Sequence, residues 1–229
     1  MKRRDFLTVG GKTATAGVAG MAGIAATAKA GPPVRWRLAS SYPKSLDTVH
    51  GAAERIAARV RAATDGAFDI QVHAAGELVS ALGVFDAVSA GTADCGLSAA
   101  ILAAERDPVL CFDTGVPFGL NARQHAAWMM HGGGAGLMDT VFADHNIVAF
   151  PAGNTGAQMG GWFRRAINGP DDLRGLTMRI TGLGAAVMER LGASVRSLPG
   201  EVLADALAAG TLDAAEWSGP YLSLIHISQ

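Results

Sequence analysis

The chain has 229 residues, 49% of them apolar, with 19 basic against 20 acidic side chains and a formal net charge of −1. That length buries one large core or two small ones. With no basic run past the N-terminus, nucleic acid is excluded as a partner class, and past residue 30 no apolar stretch is long enough to cross a bilayer.

The N-terminus reads as an export signal of the twin-arginine type. Arg3 and Arg4 precede Phe6 and Leu7, and a Gly, Ala, Thr and Val stretch without acidic residues follows. Ala28 and Ala30 supply the small residues a signal peptidase needs, ahead of Gly31-Pro32-Pro33. Residues 7–28 hold five glycines and four threonines, too polar for a stable membrane anchor. Cleavage after Ala30 is predicted, which makes the working protein periplasmic. It removes five of the 19 basic residues and one of the 20 acids, leaving 14 against 19.

Alternation of Val34, Trp36 and Leu38 with two arginines predicts a strand. Leu46, Val49, Ala53, Ile56 and Val60 then recur at helical spacing until Gly66, and Phe68, Ile70 and Val72 alternate as a second strand. Leu78, Leu82, Phe85 and Val88 predict a second helix closing at Gly91, with a strand over 94–99. Strand, helix, strand, helix, strand points to an α/β domain with a largely parallel sheet. Asn121 with Gln124 forms a capping-box pattern, and Gly132-Gly133-Gly134 interrupts the helix it opens. Beyond this, 147–150 and 158–163 read as extended, 170–174 as a helical turn and 176–180 as a strand. Helix, strand, helix and strand follow at about 184–191, 194–198, 200–209 and 212–217. Cys95 and Cys111 have no metal-ligand neighbours and read as two buried thiols, a disulfide being the alternative.

An internal echo carries the organisation. Residues 84–94 align without gaps on 203–213, and Asp86, Ala87, Ala90, Gly91, Thr92 and Asp94 match Asp205, Ala206, Ala209, Gly210, Thr211 and Asp213. Each copy is a helix ended by a glycine that tolerates positive φ, then a turn into a strand. Two similar α/β lobes imply a cleft, with ligands at the C-terminal ends of the strands. On that reading the first lobe presents residues 98–101, and the second presents Glu216 and Trp217.

Three features of the second half could carry chemistry. Residues 154–158 form a polar, glycine-containing stretch, Arg179 sits inside an apolar strand, and Glu216-Trp217 ends another. A guanidinium among apolar neighbours needs a partner, and its fork fits a carboxylate, so a small organic acid is the natural ligand. Gln158 and Glu216 with a backbone carbonyl would make oxygen ligands for a hard cation. A serine esterase-like hydrolase using Ser98 is the alternative. Gly96-Leu97-Ser98-Ala99-Ala100 approximates a nucleophile elbow and His131-Gly132-Gly133-Gly134 an oxyanion loop, but their order is reversed relative to that fold.

Asn154-Thr155-Gly156-Ala157-Gln158-Met159-Gly160-Gly161-Trp162-Phe163, Asp171-Asp172-Leu173-Arg174-Gly175-Leu176-Thr177-Met178-Arg179-Ile180 and Gly210-Thr211-Leu212-Asp213-Ala214-Ala215-Glu216-Trp217 together resemble the solute-binding subunits of TRAP transporters. The likeness is greatest to the subclass that binds 2-oxo acids such as pyruvate. It implies a two-lobed periplasmic-binding-protein-like α/β fold without catalysis, with a ligand cleft between the lobes. The lobes would span residues 31–150 and 151–221, the second incomplete. Carried over, it makes Arg179 the carboxylate-binding arginine and Asn154 and Trp217 ligand contacts. It makes Gln158, Glu216 and the main-chain carbonyl of Trp217 ligands of sodium or calcium. The small and large membrane subunits of the transporter are the implied partners, with a homodimer in the full-length parent.

Two departures stand out. Ile101-Leu102-Ala103 occupies a place where the family usually carries aromatic residues, which implies a larger or more apolar solute. After Tyr221 the family continues for roughly a hundred residues, whereas residues 222–229 match nothing expected and read as a non-native tail. The truncated chain is therefore expected to fold poorly and to be rejected by an export route that takes folded cargo.

Overall fold

β1 (Val34–Ser40) takes the centre of a parallel sheet and buries Leu38, Ala39 and Ser40 at its C-terminal end. In the computed structural model, which describes residues 32–219, it pairs with β2 (Phe68–His73) and β3 (Cys95–Leu97), both parallel to it. α1 (Asp47–Ala63) makes the crossover to β2, and α2 (Val84–Ser89) the one to β3. Ala39 packs with Val84, Ala87 and Ala93 between sheet and helix. The export signal at 1–30 and the tail at 222–229 lie outside the described residues.

Three helices follow, α3 (Cys111–Thr114), α4 (Ala122–His131) and α5 (Gly134–Asp144). The capping box at α4 is formed, with Asn121 Oδ1 accepting from Gln124 N–H and Gln124 Oε1 from Asn121 N–H, each at 3.0 Å. Gly133, at φ 86°, turns the chain from α4 to α5, and a Cβ on Gly134 would lie 2.6 Å from Cδ2 of Trp128. These glycines fold one helix against the next. Leu110, Met129, Met138 and Phe142 form the core beneath them.

The second sheet is built from β4 (Trp162–Phe163), β5 (Thr177–Arg179), β6 (Ser194–Arg196) and β7 (Ala214–Ala215). Its order is β4-β7-β5-β6, and only β4 runs antiparallel. α6 (Gly182–Arg190) joins β5 to β6, and α7 (Leu203–Ala208) leads towards β7. The β1-α1-β2-α2-β3 path is thus retraced by β5-α6-β6-α7-β7.

The sequence echo is a structural repeat down to single bonds. Gly91 and Gly210 have φ of 74° and 71°. The Thr92 and Thr211 hydroxyls cap the carbonyls of Ala87 and Ala206 at 3.1 and 3.0 Å. Asp94 accepts from the Arg37 N–H of β1 and Asp213 from the Thr177 N–H of β5, both at 2.8 Å. Each aspartate therefore ties the strand it introduces to a neighbour, β3 to β1 and β7 to β5.

Several elements are shorter than the spacing predicts. Residues 147–150 form no strand. Ile147 and Ala149 pack on the Met129 cluster while Val148 and Phe150 are exposed, so the alternation marks burial without a partner strand. Before α2, Glu77 binds the Ala74 N–H at 2.9 Å and Gly76 N–H reaches Val79 O at 2.9 Å, a turn that delays helix onset to residue 81. Of 158–163 only Trp162 and Phe163 pair, and β3 ends at Leu97 ahead of a 3-10 turn at Ala100–Ala103. Cys95 and Cys111 are free thiols. Among the described residues, no helix is long and apolar enough to cross a membrane.

Candidate functional site

The C-terminal ends of β5 and β7 bring charge into an apolar setting. Met178, Ala214 and Ala215 are fully buried, and the register sets Arg179 opposite Ala215. The next N–H, that of Glu216, donates to Arg179 O at 2.8 Å, so Glu216 follows Arg179 at the sheet edge.

Arg179 is 5% exposed. Its Nε donates to Leu198 O at 2.9 Å and Nη1 to Glu216 O at 3.0 Å. Nη1 also lies 3.4 Å from Glu216 Oε2, at the long end of hydrogen bonding, so the two carbonyls hold the group more firmly than the carboxylate does. The guanidinium carbon sits 5.3 Å from the centroid of the Trp217 ring, a cation–π arrangement worth ~0.5–2 kcal/mol. Nη2 has no hydrogen-bond partner among the described residues. A buried cation thus keeps one donor edge uncommitted.

Burial lowers the Arg179 pKa and the Glu216 carboxylate opposes that; the guanidinium stays charged. Burial raises the Glu216 pKa, opposed by Arg179. Each charge offsets part of the other's lost hydration, and burial remains the larger influence on both.

Gln158 reaches the same edge through Ser218. Its Nε2 donates to Ser218 Oγ and to Thr155 Oγ1, each at 3.2 Å. Both amide hydrogens are engaged, and Oε1 has no donor among the described residues. Asn154 is turned onto its own loop, where Oδ1 accepts from the Gly156 N–H at 2.7 Å in an Asx-type turn. Among the described residues it makes no hydrogen bond to Arg179 or Glu216. Leu198 O and Ser218 were not singled out by the sequence, since one is a main-chain carbonyl and the other a common polar residue.

On the first sheet, Ser98 Oγ accepts from Ser41 Oγ at 2.7 Å, and among the described residues no histidine is hydrogen-bonded to it. With the His131–Gly134 segment forming a helix corner, the elbow-and-oxyanion-loop geometry of a hydrolase is not present. Ile101 instead packs on Gly182 at the start of α6, so closely that a Cβ there would overlap its Cγ1. Gly182 has φ 62°, and the neighbouring Leu183 N–H donates to the buried Cys111.

The chain is 50% identical over 224 residues to a monocarboxylate 2-oxoacid-binding periplasmic protein of Nostoc, covering 96% of this chain and 61% of that protein. Its fold matches a TRAP transporter solute-binding protein of Bordetella bronchiseptica, seen with calcium and picolinate, at 46% identity and a TM-score of 0.80. That match covers 83% of this chain and 57% of the other. A TRAP periplasmic solute-binding protein of Pseudoalteromonas atlantica, with sodium and pyruvate bound, matches at 42% identity and 0.80, covering 85% and 59%. The chain thus spans about three-fifths of the length of these relatives, and its α/β fold is theirs. The family model for bacterial extracellular solute-binding proteins, family 7, a family of binding proteins and not of enzymes, matches residues 39–226. The chain belongs to that family.

Proposed function

We propose that the protein captures a 2-oxo acid or related monocarboxylate in the periplasm, together with a bridging cation, for a TRAP-type transporter. The observation that carries the reading is Arg179, buried at a strand end with Nη2 uncommitted. That edge suits a carboxylate oxygen, and the low dielectric around it strengthens the pairing. Asn154 and Trp217 complete the ligand contacts.

Gln158 Oε1, Glu216 and the Trp217 carbonyl fit a hard cation in donor chemistry. Two of these oxygens are neutral and one is anionic, and among the described residues no group of three His, Cys, Asp or Glu could hold a metal. A set with so little charge favours sodium or calcium when the ligand's own carboxylate and oxo oxygens join it. The cation would supply charge balance for the chelated acid. Glu216 would then be shared between cation and Arg179, and binding would favour the closed form of the lobes, 31–150 and 151–221.

Export through the twin-arginine signal, delivery to the two membrane subunits and homodimerisation belong to the same reading. The Nostoc and Pseudoalteromonas relatives support it, as does the Bordetella structure, which is a dimer. Calorimetric titration with pyruvate tests it. Binding is expected with sodium or calcium present and absent in chelated, cation-free buffer. Arg179→Lys should weaken it by at least about tenfold. Equal binding with and without a cation, or in the variant, counts against the reading.

A further inference from the structure

The outer edge of the Trp217 indole lies where a side chain on residue 200 would be. An added Cβ at Gly200 would overlap Cη2 of Trp217 and stand 2.9 and 3.3 Å from Cζ3 and Cζ2. Carbon atoms pack at ~3.5–4.0 Å, so ring and Cβ cannot share that space. The backbone gives no other reason for glycine. Gly200 is not among the positive-φ glycines and opens an ordinary 3-10 turn, Gly200–Val202, where alanine would be favoured by unfolded-chain entropy.

The same short segment holds the other half of the stack. Leu198 O, two residues earlier, accepts from Arg179 Nε at 2.9 Å, while the Arg179 guanidinium lies over the Trp217 ring. Residues 198–200 therefore fix the arginine through a carbonyl and the tryptophan through an absent side chain. We propose that Gly200 is a positioning residue for ligand capture, its missing side chain forming the slot that seats Trp217 on Arg179 and so aims the Nη2 edge. This rests on the reading of Arg179 as the carboxylate-binding group. A side chain at 200 tilts the indole off the guanidinium, which then loses one wall of its site without losing its charge.

A double-mutant cycle with Gly200→Ala and Trp217→Phe tests this, because phenylalanine lacks the outer ring atoms that a Cβ would strike. Pyruvate binding with calcium present, read by calorimetry, should weaken on the order of tenfold in Gly200→Ala. In the Trp217→Phe background the same substitution should change affinity less than about threefold. A ligand-free arm compares tryptophan emission. Gly200→Ala should shift the wild-type spectrum and leave that of Trp217→Phe unchanged, with matching far-UV circular dichroism throughout.

Unchanged affinity in Gly200→Ala, or an equal loss in both backgrounds, overturns the proposal, the latter by showing that residue 200 acts through the backbone. If the wild-type chain binds no 2-oxo acid with any cation, the functional reading fails instead. The emission cycle then decides the seating alone: a Trp217-dependent shift upholds it and an identical spectrum overturns it.

Discussion

Replacing Arg179 by methionine should cost far more than the loss of a surface charge. The arginine and Glu216 side chains are 6% and 18% exposed, so neither ion is shielded by bulk water. Removal strands the Glu216 carboxylate and takes donors from Leu198 O and Glu216 O. Breaking a buried pair from one side costs about 3–5 kcal/mol, a large part of the ~5–15 kcal/mol that holds a domain together. Arg179→Met combined with Glu216→Gln removes the stranded charge and should recover about half of the loss. The deficit should also depend on pH. Burial already raises the Glu216 pKa above its ordinary 4.5, and without Arg179 the opposing influence is gone. A carboxyl whose folded pKa lies above its unfolded value binds more protons when folded, so its ionisation opposes folding and stability falls as pH rises above about 4.5. The gap between Arg179→Met and wild type should therefore narrow from pH 7 to pH 5. Urea unfolding followed by far-UV circular dichroism measures both effects. A deficit below about 1 kcal/mol at pH 7, unchanged by pH and by Glu216→Gln, would refute a buried, mutually compensating pair.

Asp213→Ala should destabilise by about 1–2 kcal/mol because it frees the Thr177 N–H of β5. Asp94→Ala, at the equivalent but exposed carboxylate, should cost less in the same urea titration. Gly182→Ala should cost about 1–2 kcal/mol for its left-handed backbone, plus the collision with Ile101. Ile101→Ala should relieve only the collision, so a double variant as stable as Ile101→Ala would contradict the backbone contribution.

The repeat was legible because three of its identities make a backbone bond or turn. Asp94 and Asp213 bind strand N–H groups, the threonines cap helix carbonyls, and the glycines take positive φ. Arg179 was legible as a charge that an apolar strand must satisfy, and Glu216 as the carboxylate at the end of the neighbouring strand. Leu198 and Gly200 were not, since a main-chain acceptor is independent of residue type and Gly200 is one of 30 glycines. Asn154 was legible as a polar loop residue, whereas the acceptance of the Gly156 N–H by its Oδ1 depends on loop geometry that residue type does not encode. Residues 147–150 were legible as extended from the alternate burial of Ile147 and Ala149, but the pattern does not encode whether a neighbouring strand is there to pair with them.

Arg179, Gln158 and Glu216 are proposed to form one site for an acid and its cation. A crystal structure of the protein grown with pyruvate and calcium, with anomalous data for the metal, tests it most directly. Pyruvate's carboxylate is expected on Arg179 Nη2, with an anomalous peak within coordinating distance of Gln158 Oε1 and Glu216. Pyruvate bound away from Arg179, or calcium found only at other carboxylates, would contradict it.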